Sequence, residues 1–338
     1  MGHGRQVSLP YGEEAGVPDV NTIAPTVSVV IPSTLRPELH RAVASVICQS
    51  IGRHRIQLVI VVDKSSEEFS HTDLSQRLKL VPGDLLISTG GGMGGGHARQ
   101  LGATQSVGQW VAYLDDDDEW EINKLKHQLE IEPGKERQAQ AQIVSCQVIQ
   151  RKPGSQTSSQ SVPRYVIQDG QSIEDYLFRR RLPSIRRATM YTSTLLVSRD
   201  IVERVEWRTQ LKRHQDWDWL IRASHEKNVR ITQISMPLVT IWVGSHGSIS
   251  ASPDWRSSLS WAKDTSPSWR PSTASDFLAA QPLRYAIHAR SVQGIVATVQ
   301  AIIETRRFPH IRCVAIGLGG LLSRQHLERA LLVMRGKK

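Results

Sequence analysis

The chain has 338 residues, 39% of them apolar and 22% charged. That length buries a full core, and so ordinary a composition excludes wholesale disorder. The formal charge of +10 favours anionic partners (nucleotide phosphates, nucleic acid or an anionic membrane surface), but it is spread along the chain and does not choose among them.

Residues 1–25 carry Gly and Pro without periodicity and are expected to form a flexible tail. Val27–Ile31 is a β-branched run closed by Pro32, and Glu38–Gln49 has helical spacing, with Leu39, Val43, Val46 and Ile47 on one face. Leu58–Val62 predicts a second strand, ending at Asp63. A short helix near Leu74–Leu80 leads to a third strand, Leu85–Ser88. After a Gly-rich stretch come a helix through Arg99–Gln105 and a fourth strand, Trp110–Leu114, running into Asp115. Further on, Ile143–Val148 and Thr192–Val197 read as strands, Lys152–Val162 as a polar loop and Asp216–His225 as a helix. From Ser245 to Phe277 the composition (Ser, Pro, Trp255, Trp261, Trp269) predicts an irregular segment, and helical patterns return at Pro282–Thr305 and Ser323–Met334.

The three cysteines, Cys48, Cys146 and Cys313, are distant in sequence and show no metal-ligand spacing, which suits a reducing compartment. The N-terminus has no apolar core of a signal peptide. The longest apolar window, Ile311–Leu322, is too short to span a bilayer and holds Arg312 and three glycines. A cytoplasmic protein is expected, with peripheral contact at the inner face of a membrane as a second station. The tryptophans and arginines of the C-terminal part are candidates for that contact, against a simpler reading as ordinary helix packing.

Continuous apolar strands alternating with helices define βαβ units and a buried parallel sheet. Such sheets bind ligands beyond the carboxyl ends of their strands. This sequence places Ser33 and Thr34, Asp63, and Asp115–Asp118 at those ends.

Three motifs carry chemistry. Asp115, Asp116, Asp117, Asp118 and Glu119 crowd like charges at a strand end, which is unfavourable unless something neutralises them. A divalent cation does so, Mg²⁺ or Mn²⁺ taking one or two carboxylates plus substrate phosphates; the bland alternative is a solvated acidic turn. Gly90, Gly91, Gly92, Gly94, Gly95 and Gly96 surround Met93, and a helix starting near His97 would offer N–H groups to a phosphate. Gly90-x-Gly92-x-x-Gly95 also fits a dinucleotide fingerprint, although two βα units precede it and the acids that follow would repel a pyrophosphate unless metal intervened. In His214-Gln215-Asp216-Trp217-Asp218-Trp219, an Asp flanked by Trp in a cleft gains basicity; the alternative is a helix N-terminus whose acids complement the dipole.

Taken together these segments resemble the inverting family-2 nucleotide-sugar glycosyltransferases, which have the GT-A fold. Val27-Ser28-Val29-Val30-Ile31-Pro32-Ser33 is similar to their opening strand and Val59-Ile60-Val61-Val62-Asp63 to their second. Ala98-Arg99-Gln100-Leu101-Gly102-Ala103 followed by Asp115-Asp116-Asp117-Asp118-Glu119-Trp120 resembles their Ala-Arg-Asn-x-Gly helix and Asp-x-Asp strand end. Gln215-Asp216-Trp217-Asp218 resembles their later Glu-Asp element. The likeness covers roughly residues 26–250, with the motifs in order. It implies an α/β fold of GT-A type, a Rossmann-like mixed sheet flanked by helices over 26–250; beyond it, the sequence pattern predicts a mostly helical C-terminal extension over 251–338 that opens on the irregular Ser/Trp-rich segment.

The resemblance also implies roles. Pro32, Ser33, Asp63, Arg99, Asp115 and Asp116 would bind the donor, Asp63 reading the base and Arg99 lying near the phosphates. Asp115 and Asp117 would hold Mn²⁺ or Mg²⁺, with His246 as a further ligand, and Asp216 would be the catalytic base. The partners implied are a nucleotide-diphosphate sugar and a hydroxyl-bearing acceptor (a glycan, a lipid-linked species or a small molecule), with no nucleic acid. The sequence departs from the pattern at Lys64-Ser65-Ser66, where the family often has an acid or Asn then Gly-Ser, and at Gln100 and Gln215, which replace Asn and Glu. A sugar-phosphate nucleotidyltransferase, an NAD(P)-dependent oxidoreductase and an inactive nucleotide-sugar-binding module are the competing readings.

Overall fold

A computed structural model describes residues 25–131, 141–152, 161–179, 188–243 and 253–319. Its first half alternates β1 (Val27–Ser33), α1 (Leu39–Ile47), β2 (Ile56–Val62), α2 (His71–Arg77), β3 (Leu85–Ser88), α3 (Gly94–Gln105) and β4 (Trp110–Tyr113). Then come β5 (Glu119–Trp120), α4 (Lys124–Leu129), β6 (Ala141–Arg151), β7 (Ser161–Val162), α5 (Ile173–Phe178), β8 (Leu196–Ser198), α6 (Arg199–Arg204), α7 (Gln215–Ser224) and β9 (Val229–Trp242). Helices α8 (Trp255–Thr265), α9 (Pro271–Ala280), α10 (Pro282–His288), α11 (Val292–Glu304) and α12 (Ile311–Leu318) complete the described chain.

One sheet joins the strands in the order β3-β2-β1-β4-β8-β6-β9-β5, with β7 beside β6. The first four are parallel; β8 runs antiparallel to both β4 and β6, and β6 and β9 are parallel to each other. Successive strand residues point to opposite faces, and both faces are covered. Val27, Val29 and Ile31 of β1 and Leu58, Ile60 and Val62 of β2 join Leu39, Val43 and Val46 of α1 in one core layer. Val30, Val59 and Val61 belong to the other layer. Burial on both sides is why these runs are apolar throughout instead of alternating.

Helix α3 reaches the sheet closely because Gly102 has no side chain. A Cβ there would lie 2.4 Å from Val30 Cγ1 and 3.0 Å from Val61 Cγ2. Gly102→Val is therefore expected to destabilise the fold by about 1–3 kcal/mol through overpacking, which the small gain in helix propensity over glycine does not offset. Thermal or urea unfolding checks this, and unchanged stability would mean that the contact relaxes freely.

The structure departs from the sequence reading where composition outweighed spacing. The segment Ser245–Phe277, expected to be irregular, contains α8 and α9 in its described part. Asp254 caps α8 by accepting the Ser257 N–H at 3.0 Å, and Pro271 stands in the first turn of α9, where proline is tolerated. Ser258 is buried on the same helix as Trp255, Leu259, Trp261 and Ala262. The helical pattern Pro282–Thr305 is two helices, separated at Ser291, whose hydroxyl accepts the Gly294 N–H at 3.0 Å. Thr192–Thr194 is a 3-10 turn, leaving β8 as a short strand. Strand β9 had no counterpart in the sequence reading. Its first half is mostly half-buried, and its pairing with β6 shifts register around Gln147, so neither alternation nor an unbroken apolar run marks it. Ser323–Met334, the tail 1–24 and most of the loop Lys152–Val162 lie outside the described residues.

Trp255, Trp261 and Trp269 pack inward, in the core layer that also holds Trp219 and Ile221 of α7 and Phe277 of α9. These tryptophans are therefore packing residues and not a contact surface.

Candidate active site

Because β1, β2 and β4 are parallel, their carboxyl ends share one edge, and the residues just beyond them line a cleft of about 360 Å³. Pro32, Ser33 and Arg36 come from the end of β1, Asp63 from β2, and Asp115, Asp116 and Asp117 from β4. The start of α3 adds Gly95 and Arg99, and the turn into α7 adds Lys212 through Asp216. Every donor-binding and catalytic residue expected from the sequence thus borders a single cleft, as do the expected metal ligands Asp115 and Asp117. His246 lies outside the described residues.

The four adjacent acids occupy four different settings. The Asp115 carboxylate accepts from Arg99, and its N–H donates to Ser193 Oγ at 3.1 Å. Asp116 is buried and accepts from Ser33 Oγ at 2.7 Å. Its burial pushes the carboxyl above the ordinary value, with Asp117 and Asp115 adding to the rise and Ser33 and Arg36 opposing it. Asp117 accepts from Arg36 Nη1 at 3.2 Å through its carboxylate and from Arg41 Nη2 at 3.0 Å through its carbonyl. Asp118 turns inward to Ser193 Oγ. Burial, then Asp115, raises its carboxyl well above the usual range, against the hydrogen bonds from Ser193 and the Trp242 amide. The crowding of charge legible in the sequence is thus relieved by burying two acids and setting arginines against the other two.

Asp63 ties the second strand to the glycine run. Its Oδ1 accepts from Thr89 Oγ1 at 2.5 Å and from the Met93 N–H at 2.8 Å, and its Oδ2 accepts from the Gly94 N–H at 2.8 Å. Burial alone would raise this carboxyl, but the three hydrogen bonds and the nearby His97 outweigh it and hold it below its ordinary value. Helix α3 starts at Gly94 and not near His97, and its leading amides face this carboxylate. Gly90, Gly91, Gly92 and Gly94 all have positive φ, which glycine adopts without strain and which makes that tight approach feasible.

Helix α7 meets α3 across the cleft. A Cβ at Gly96 would lie 3.2 Å from the Gln215 side chain, and Gln215 Oε1 accepts from Arg99 Nη1 at 3.3 Å. The Gln that replaces the family's usual Glu therefore works as a neutral bridge between the two motifs. Burial would lower the Arg99 guanidinium, but Asp115 and Asp216 keep it above its ordinary value, so it stays a cation in the cleft wall. Asp216 is half-buried at the cleft. Asp218 faces the opposite way and is fully buried, accepting from Arg208 Nη1 at 3.1 Å, Arg222 Nε at 2.8 Å and Trp261 Nε1 at 3.0 Å. His214, left-handed at φ 63°, stacks on Trp217 with ring centroids 4.7 Å apart and bonds Ser258 Oγ at 2.8 Å.

Sequence reasoning missed Arg36, Thr192, Lys212, Arg213 and Ser193. Arg36 had a signal, a cation shortly after a strand end on the ligand edge. So did Lys212 and Arg213, which precede the Gln-Asp element. Thr192 and Ser193 had none, since they reach the site only through the turn before β8.

The fold and the cleft are those of a sugar-transferring enzyme, and comparison with known proteins agrees. The chain belongs to glycosyl transferase family 2, which it matches over residues 28–205. It is a glycosyltransferase with the GT-A fold. It is 26% identical over 255 residues to the amylovoran biosynthesis glycosyltransferase AmsB of Erwinia amylovora, covering 74% of this chain and 81% of that one. Among solved structures it resembles S. aureus TarS, with a TM-score of 0.55 and 14% identity over 86% of this chain, which spans half of TarS. The 1–349 portion of TarS in complex with UDP-GlcNAc also superposes with a TM-score of 0.55, at 13% identity, covering 86% of this chain and 83% of that one. The Gly90–Gly95 pattern is accordingly no dinucleotide fingerprint; two of its amides, those of Met93 and Gly94, serve Asp63.

Proposed function

We propose that this glycosyltransferase moves a sugar from a nucleotide diphosphate to a hydroxyl acceptor, with inversion at the anomeric carbon and with a divalent cation bound. The observation that carries the reading is the convergence of Asp63, Arg99, Asp115, Asp117 and Asp216 on one cleft at the carboxyl edge of the parallel strands.

In this reading the donor lies along the edge, its base near Asp63, against a wall formed by Pro32, Ser33 and Asp116. Among the described residues no three metal-binding side chains cluster. Two carboxylates, Asp115 and Asp117, suit Mg²⁺ or Mn²⁺, which commonly take one or two protein carboxylates and complete their shell with phosphate and water. Such a cation, when bound, supplies positive charge opposite the departing diphosphate. Arg99 holds a second positive charge in the same wall, fixed in place before reaction by Asp115 and Gln215. Asp216 takes the proton of the acceptor hydroxyl as its oxygen bonds to the anomeric carbon and the bond to the diphosphate breaks on the far side. The likeness to AmsB, an amylovoran biosynthesis glycosyltransferase, supports an acceptor in polysaccharide synthesis. No helix among the described residues is long and apolar enough to cross a membrane.

Donor hydrolysis across UDP-, GDP- and dTDP-sugars, with and without Mn²⁺, tests the reading. One nucleotide is expected to be released, and only with metal. Asp117→Asn should lower that release by roughly 100-fold or more, the scale of losing one preorganised transition-state charge partner. Release from no donor, or metal-independent release by both forms, would overturn it.

A further inference from the structure

Two C-terminal helices present apolar side chains on their outer faces. Helix α11 buries Gly294, Thr298 and Ala301 and turns Val292, Val296, Val299 and Ile303 outward, with Val292 74% and Ile303 68% exposed. Their spacing of four, three and four residues lays them along one stripe. Helix α12 buries Cys313 and Gly317 and leaves Ile311 and Leu318 exposed. Between the helices Phe308 is 99% exposed, preceded by the exposed Arg306 and Arg307. Ile302 of α11 and Ile316 of α12 both pack on the Ala279–Ala280 end of α9. The two outer faces therefore turn away from α9 together, with Phe308 at the turn that joins them.

The segment that carries this face is predominantly basic. From Pro282 to Gly319 the chain carries five arginines against a single glutamate, Glu304. We propose that α11 and α12 form a membrane-docking face that lies in the plane of an anionic phospholipid surface, with Ile303 and Phe308 inserted and Arg306 and Arg307 against the headgroups. Helices with an apolar stripe and a basic border bind in this way, the buried apolar area and the attraction to anionic lipid adding to each other. With 13 residues α11 is too short to span and long enough to lie flat. A second copy of the chain seated on the same face would bring two sets of these arginines together, which disfavours self-association. The inference goes beyond the donor chemistry and does not depend on it.

The test is sedimentation of the full chain with vesicles of phosphatidylcholine, alone or mixed with phosphatidylglycerol. The protein is expected to bind the mixed vesicles, more weakly as salt is raised. Ile303→Ser with Phe308→Ser should weaken that binding about tenfold or more, the scale of losing one or two buried apolar side chains. Arg306→Glu with Arg307→Glu should also weaken it about tenfold or more. All four residues are exposed, so unfolding temperature and donor hydrolysis in solution should not change in either variant. Absence of binding to mixed vesicles, or equal binding by all three proteins, would overturn the proposal. So would a dimer, seen by light scattering, that the serine pair dissolves while vesicles leave it unbound; the face would then be an interface between copies. Donor hydrolysis is read without vesicles, so failure of the proposed chemistry and failure of the docking face are separate results.

Discussion

Asp216→Asn is expected to lower sugar transfer by about 10²–10⁴-fold in kcat, the usual contribution of a general base, with little change in the KM for the donor. The substitution keeps the size and shape of the side chain and removes its negative charge and its ability to accept a proton. Asp216 lies at the start of α7 and lines the same cleft as the acid run. Arg99 lies near enough to feel its charge, so the asparagine variant also takes away one of the two carboxylates that keep the guanidinium charged. Metal-dependent release of nucleotide to water should fall less than transfer, because water needs no help from Asp216 to reach the donor. Near-normal transfer by the variant would remove Asp216 from the mechanism and leave the donor side of the site standing.

Asp218→Ala should destabilise the fold by about 2–4 kcal/mol. Asp218 is fully buried and is shared by Arg208, Arg222 and the Trp261 indole. Breaking a buried pair by removing one partner typically costs 3–5 kcal/mol. The figure is discounted because the two arginines are 41% and 26% exposed and regain water when released. Urea unfolding measures the loss. Asp218→Asn, which fills the same space and still accepts from the indole, should fall between the wild type and the alanine variant. Equal stability of all three would mean that the arginines contribute nothing through this carboxylate.

Much of the site was legible because its residues sit where a strand ends. A parallel strand buried on both faces announces itself as an apolar run, and the first polar residue after it has to lie on the ligand edge; Ser33, Asp63 and Asp115 all follow that logic. The order of the motifs then supplied Arg99 and Asp216. What stayed illegible depends on partners distant in sequence. Nothing local separates Asp116 and Asp118, which are buried, from Asp115 and Asp117, which meet arginines. The difference comes from Ser33 and Ser193, which reach the run from other parts of the sheet. Likewise the two aspartates of the Gln-Asp-Trp-Asp element look equivalent until Trp261 claims one of them. Strand β9 and helix α8 were hidden for a simpler reason: half-exposed backbone and serine-rich helix faces carry too little hydrophobic contrast to show a period.

The contact between Trp261 and Asp218 has a consequence for how such enzymes diverge. The stretch matched to the family ends at residue 205, whereas the proposed base lies beyond it, on a helix whose buried anchor is completed by a tryptophan from further still. The C-terminal helices are therefore not an interchangeable module. A chimaera that kept the half matched to the family and exchanged these helices for those of a relative would also exchange the support beneath α7. Drift in the C-terminal helices and drift in α7 are thus mechanically linked, and each constrains what the other is free to become.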